Sequence, residues 1–447
     1  MSLTALGFVL LFFFGIIKAL MGRPIFGLYS YILSIYMYAP GSWWGAGLPD
    51  LRWSLFSALA TLISIWMAGN KANALTFTNG GWANDGIVKF LICFVLWVWL
   101  QNLWAIAPVR HFEFSVMVTK FLLLIYLIKK SVHSERDLYS ILIAHLLGGM
   151  YFGYLGLTQH TGGRFESAPT PGMSDGNLLS IHMLSILIAG SYLVLCNFDK
   201  RKFLLGLPIV LTLNAIFLTE SRGALVGIVL SALLAMFFVP AHLKKVFRRY
   251  MVLAVLGVSL MVGQNLVDRI NSISEPNAQG EVDKSAASRV VFIEAQTEMF
   301  KEKPYIGQGH KGTMYLSPDF IPIEFMTNSG GGTMLRASHN LTMSYLIDHG
   351  VIGSLLYFGS VSIAFLRLIR LRSNIIHVRS NLNLVYVGCC VALFSILVTS
   401  QFSNSIRLEI AIWFLALLSL IYERIKFVEM QATKLKEESA QEPSQLN

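Results

Sequence analysis

Arg336–Gly353 reads RASHNLTMSYLIDHGVIG, and the fold is decided on how this stretch is read. It closes the longest polar segment of the chain, roughly residues 267–338, and opens a hydrophobic span that runs to about Phe365. Ser338, His339 and Asn340 stand at the junction. Asp348 and His349 follow two to three helical turns further on, inside the expected membrane span. An ionisable group at that depth costs about 2.5–3.5 kcal/mol on insertion scales, so the pair marks a site.

The rest of the chain agrees with a membrane setting. Its 447 residues are 55% hydrophobic and only 13% charged, against about 25% charged in soluble domains. Apolar runs near the roughly 17–25 residues that a bilayer requires recur along it. Continuous runs of this kind are helices, because a helix satisfies its own backbone in lipid. The expected fold is therefore an all-α polytopic membrane protein of about 12–13 transmembrane helices. The candidate spans are Leu3–Leu20, Ile25–Tyr38, Trp53–Ala68, Ile87–Ile106, Phe112–Ile128, Leu138–Leu155, Leu178–Leu195, Phe203–Thr219, Ala224–Val239 and Met251–Val267. After the polar segment come Leu341–Phe365, Leu384–Thr399 and Leu408–Ile421. This divides the chain into transmembrane helices over 1–267, a loop domain over 268–338, the last transmembrane helices over 339–425 and a disordered tail over 426–447.

The net charge of +10 does not point to nucleic acid. The basic residues cluster in alternate short loops: Lys129, Lys130 and Arg136; Lys200 to Lys202; Lys244 to Arg249; Arg367 to Arg379; and Arg424 onward. That is the positive-inside pattern. It puts residues 158–176, 220–222, 267–338 and 401–407 on the outer face and the C-terminus in the cytoplasm. With thirteen spans the N-terminus lies outside; if the short second run does not cross, twelve spans put it inside. Four cysteines in or beside apolar runs, without zinc spacing, predict neither disulfides nor a metal.

The long outer segment carries its own structure. Val290–Lys301 predicts an amphipathic helix, ended by Pro304 and followed by a turn at Gly307-Gln308-Gly309. Arg164, Arg222, Arg289 and Arg336 share this face with His339. Guanidinium groups grip phosphate oxygens in pairs and stay charged when partly buried, so the set suits a lipid-linked pyrophosphate. Asp175-Gly176-Asn177 reads as a turn and helix cap, and His145 and His182 as hydrogen-bonded interior histidines.

Three segments together resemble a known family. LTESRGALVGIVL (Leu218–Leu230), SRVVFIEAQTEMFKEKPYIGQG (Ser288–Gly309) and SHNLTMSYLIDHGVIGSLLYF (Ser338–Phe358) look like the motif region of the O-antigen ligase and O-antigen polymerase superfamily. GRFESAPTPGMSDGN (Gly163–Asn177) is similar to its arginine-led motif, and RPIFGLYSYILSIYMYAP (Arg23–Pro40) to a subgroup of O-glycosylation ligases. The resemblance implies a C-type glycosyltransferase fold with a helical periplasmic domain between late spans, in the bacterial inner membrane. It implies an enzyme whose donor is a glycan on undecaprenyl diphosphate; with no HExxH and no Asp-x-Asp pair on the outer face, neither metal nor cofactor is expected. The acceptor would be lipid A-core for a ligase, another lipid-linked repeat for a polymerase, or a protein. The family's motif residues map to Arg222, Arg289 and His339, and more loosely to Arg164 and Asp348. Together with the outer-face reading this makes His339 the expected catalytic residue, Arg222, Arg289, Arg164 and Arg336 the expected pyrophosphate ligands, and Ser338, Asn340 and Asp348 their expected supports. Partners would be the carrier-linked glycan, the acceptor and membrane lipids, with no nucleic acid, and a monomer is expected. A flippase is the more distant alternative; charges gathered at one face argue against it.

Overall fold

The computed structural model describes residues 2–74, 81–166, 170, 172, 173, 175–196, 200–261, 284–323, 326, 335–378, 380–403 and 409–441. Among them all regular structure is helical. The order is α1 (Leu3–Leu20), α2 (Ile25–Tyr36), α3 (Trp53–Ala74), α4 (Gly86–Gln101), α5 (Pro108–Ser131), α6 (Glu135–Gln159), α7 (Gly176–Leu195) and α8 (Gly206–Leu218). Then come α9 (Arg222–Phe237), α10 (Lys244–Met261), α11 (Lys284–Glu302), α12 (Gly312–Phe320), α13 (Leu341–Arg370), α14 (Arg372–His377), α15 (Asn381–Thr399) and α16 (Glu409–Gln441). Each candidate span overlaps one α-helix, though Ile87–Ile106 runs past the end of α4 and Phe203–Thr219 begins in a 3-10 turn before α8, with residues 262–267 and 408 outside the described ones. Among the described residues seven stretches are long and apolar enough to cross a membrane, and three shorter apolar helices accompany them. The protein is an all-α polytopic membrane protein.

The centre of the bundle is α15. It is apolar on all sides, as a helix surrounded by others is, and Leu384 to Leu393 are buried without exception. It packs against α7, α9 and α16. The opposite extreme is α1, with Leu3, Leu10, Leu11 and Ile17 exposed for lipid. Glycines allow the closest approaches: a Cβ on Gly153 of α6 would lie 2.1 Å from the Leu211 carbonyl oxygen of α8, and one on Gly148 2.2 Å from the Tyr36 ring.

The first three helices alternate in direction. Phe12 of α1 packs on Trp53 at the start of α3, and Ser64 of α3 donates to the Ala19 carbonyl at the far end of α1. Between them α2 runs the other way, with Ser30 donating to the Phe12 carbonyl and Phe26 against Phe14. With 12 residues α2 is short, about 18 Å. It ends at mid-height of α6, where the Tyr36 hydroxyl lies 2.8 Å from both His145 Nδ1 and His182 Nε2. Both histidines are the hydrogen-bonded interior groups expected.

Polar contacts mark the two ends of the bundle. At one end Arg367 pairs with Asp85 at 2.6 Å and lies over the Tyr422 ring, while Lys129 pairs with Glu423 at 2.7 Å. At the other end Gln101, the last residue of α4, reaches Asp348 in α13. The 16 residues of α4 join these ends, about 24 Å at 1.5 Å per residue. Asp348 and His349 thus stand about one length of α4 away from the Arg367–Asp85 pair, at the opposite end of the bundle.

A second difference lies at the C-terminus. A disordered tail is expected from residue 426, yet α16 continues to Gln441, with 442–447 outside the described residues. Glu, Lys, Gln and Ala extend an already nucleated helix readily, and Lys426 pairs with Glu429 one turn along.

Candidate active site

The site is built on a broken helix. Gly350 in α13 has φ +68° and ψ −178°, a conformation essentially reserved for glycine. The break leaves backbone groups on both sides without helical partners, and the turn after α11 fills it. Gln308 N–H donates to the Ile347 carbonyl and Gly309 N–H to that of Asp348, while Val351 and Ile352 donate back to the carbonyls of Pro304 and Tyr305. Side chains of the α4–α5 corner complete the joint. Trp97 donates to the His349 carbonyl, Trp104 to that of Gly307, and the Gln101 amide to those of Ile306 and Asp348. The other end of that amide, an oxygen, then accepts from His349 Nδ1 at 2.8 Å, which fixes the imidazole tautomer. His111 accepts the His310 N–H at Nδ1 and donates from Nε2 to Val98.

Asp348 faces into this joint. One carboxylate oxygen accepts from the backbone and hydroxyl of Thr313, both at 2.9 Å, and the other from Lys311 N–H at 3.0 Å. It thereby caps α12 and locks the outer segment to the bundle. Asp348→Asn turns one acceptor into a donor facing the Lys311 N–H. The expected result is a loss of about 1–3 kcal/mol, read as a lower unfolding temperature of the detergent-solubilised protein.

The other end of the same half-helix carries the junction residues. Asn340 caps α13, its side chain accepting from Met343 N–H. Ser338 is buried and takes a 2.9 Å hydrogen bond from Gln296 of α11. Arg336 donates its backbone N–H to Ser317 of α12 and lays its guanidinium over the Phe292 ring at 5.0 Å. Beneath them Phe292, Ala295, Met299, Leu316, Ile321 and Ile347 form a small core of their own. His339, between these anchored neighbours, is exposed.

The arginines approach from two sides. Arg222 is the first residue of α9. Gly223 beside it packs on Phe402, and the next residue back, Gln401, accepts from Thr342 at the start of α13. The Arg222 turn and the His339 junction thus flank one short turn, Ser400–Phe402. Arg289 belongs to α11, two turns before Gln296 and one before Phe292, on the face that meets residues 336–338; its side chain lies outside the described residues. Arg164 is turned to the protein instead. Its Nε donates to the Thr219 carbonyl, one terminal nitrogen to Asn177, and the other pairs with Glu166. Asp175 caps α7 as expected. Sequence reasoning passes over Gln101, Gln296 and Thr313, and reads Trp97 only as an interfacial anchor. The only signals for them are a glutamine ending an apolar span and one on the buried face of an amphipathic helix.

No curated protein matches the chain. Residues 207–358 match the O-antigen ligase family, a region that runs from α8 through the broken part of α13 and holds Arg222, Arg289, Arg336, His339 and Asp348. Over this region the chain is similar to the O-antigen ligase family, and the match supports placing it with that superfamily.

Proposed function

We propose that the protein transfers a glycan from undecaprenyl diphosphate to an acceptor hydroxyl at the outer face of the bacterial inner membrane, with lipid A-core as acceptor. The family match supports ligase- or polymerase-type activity in general. The observation that carries the finer reading is the exposed His339, held between two anchored residues and flanked by Arg222 across a shared turn. His339 takes the proton of the acceptor hydroxyl, a role that suits an imidazole at neutral pH. The acceptor oxygen attacks the anomeric carbon from the face opposite the leaving group, so the configuration inverts. The bond from that carbon to the pyrophosphate oxygen breaks, and undecaprenyl diphosphate departs with the electron pair. Arg222 at a helix N-terminus, Arg289 and Arg336 neutralise the charge that collects there, without a metal. Positive charge held in place before the reaction needs no reorganisation during it.

Analysis of glycans in a deletion strain tests the assignment. A ligase leaves polymerised glycan on the lipid carrier and none on lipid A-core. Accumulation of single repeats instead makes the protein a polymerase, and unglycosylated protein acceptors with normal lipopolysaccharide make it a protein ligase.

A further inference from the structure

Arg164 carries an inference that deepens, and rests on, the reading above. The hairpin between α8 and α9 turns through Thr219 and Glu220, and Glu220 has φ +47°. Holding a non-glycine residue left-handed costs about 1–2 kcal/mol, so such a turn persists where its surroundings fix it. The segment around Arg164 does this. Phe165 N–H donates to the Leu218 carbonyl at 2.8 Å and Arg164 Nε to that of Thr219 at 2.9 Å, which satisfies carbonyls that the end of α8 leaves without an intrahelical partner. A cation there also complements the helix dipole. Asn177 Oδ1 then accepts from an Arg164 terminal nitrogen at 2.6 Å and from the Ser221 hydroxyl at 3.1 Å. Ser221 in turn caps α9, immediately before Arg222. One guanidinium therefore ties the end of α8 to the start of α9, across the turn that sets where Arg222 begins.

We infer that Arg164 is a positioning residue for Arg222, acting through Thr219, Asn177 and Ser221, and does not itself hold the pyrophosphate. All three of its nitrogens already meet protein oxygens.

The test is a mutant cycle on full-length protein in membranes, with transfer rates normalised to folded protein. Arg164→Ala and Arg222→Lys singly are each expected to slow transfer at least tenfold. If Arg164 works through Arg222, adding Arg164→Ala to Arg222→Lys lowers the rate by less than about threefold more. Multiplication of the two losses means an independent contact and overturns the inference. Asn177 supplies a second arm that spares the arginine. Asn177→Asp keeps the accepting oxygen and is expected to transfer at least tenfold faster than Asn177→Leu. Were Arg164 a phosphate ligand, the added carboxylate would oppose the anion, and equal losses in the two variants would count against the inference. A wild-type rate in Arg222→Ala removes Arg222 from the reaction, and both the pyrophosphate assignment and this inference fall together.

Discussion

His339→Ala is expected to slow glycan transfer by about 10²–10⁴-fold, the range over which a positioned general base acts, while the protein still folds and inserts. The second half of this expectation comes from the structure. His339 is exposed, and the junction is held by its neighbours: Ser338 through Gln296, Asn340 through its cap on α13 and Arg336 through Ser317. Truncating the imidazole leaves those bonds in place. Transfer measured on purified protein, beside the thermal unfolding of the same sample, separates chemistry from folding. A His339→Ala variant that transfers at the wild-type rate removes the histidine from the mechanism.

Gly350→Ala is expected to fail for the opposite reason. The φ and ψ there cost any other residue about 1–3 kcal/mol. In addition the new Cβ would stand 2.2 Å from the Tyr305 carbonyl oxygen and 2.7 Å from the Gly307 nitrogen. Those are backbone atoms of the turn that closes the joint, so no side-chain movement relieves the clash. Gly307→Ala meets the same wall from the other side, 2.4 Å from the Gly350 nitrogen. Each is expected to lose more than about 3 kcal/mol, among the large effects of single substitutions, and to release the segment before α13 to proteases. Gly22→Ala is the control, because Gly22 also has a positive φ but has nothing near its Cβ position. Equal melting temperatures for all three variants would contradict the joint described above.

The two predictions also show what the sequence discloses. Apolar runs declare the helices, because they are composition summed over many residues. The cap at Asp175 and the interior histidines were legible for the same local reason. The role of Arg164 was not: an arginine in a glycine-rich turn reads alike whether it faces a ligand or a helix end 55 residues away. Nor did spacing reveal that Asp348 caps α12, since an acidic residue on an apolar face announces only that it needs partners. The break at Gly350 hides inside a pattern that reads as one continuous helix. Its cause lies in PYIGQG, some forty residues earlier.

That break bears on how the chain matures. A straight α13 offers PYIGQG nothing to pair with, while a bent one without it leaves the Ile347, Asp348 and His349 carbonyls bare at the lipid edge. Neither half of the joint is stable before the other arrives. The bend and the turn that fills it therefore form together, so the shape of α13 depends on a segment that precedes it in the chain.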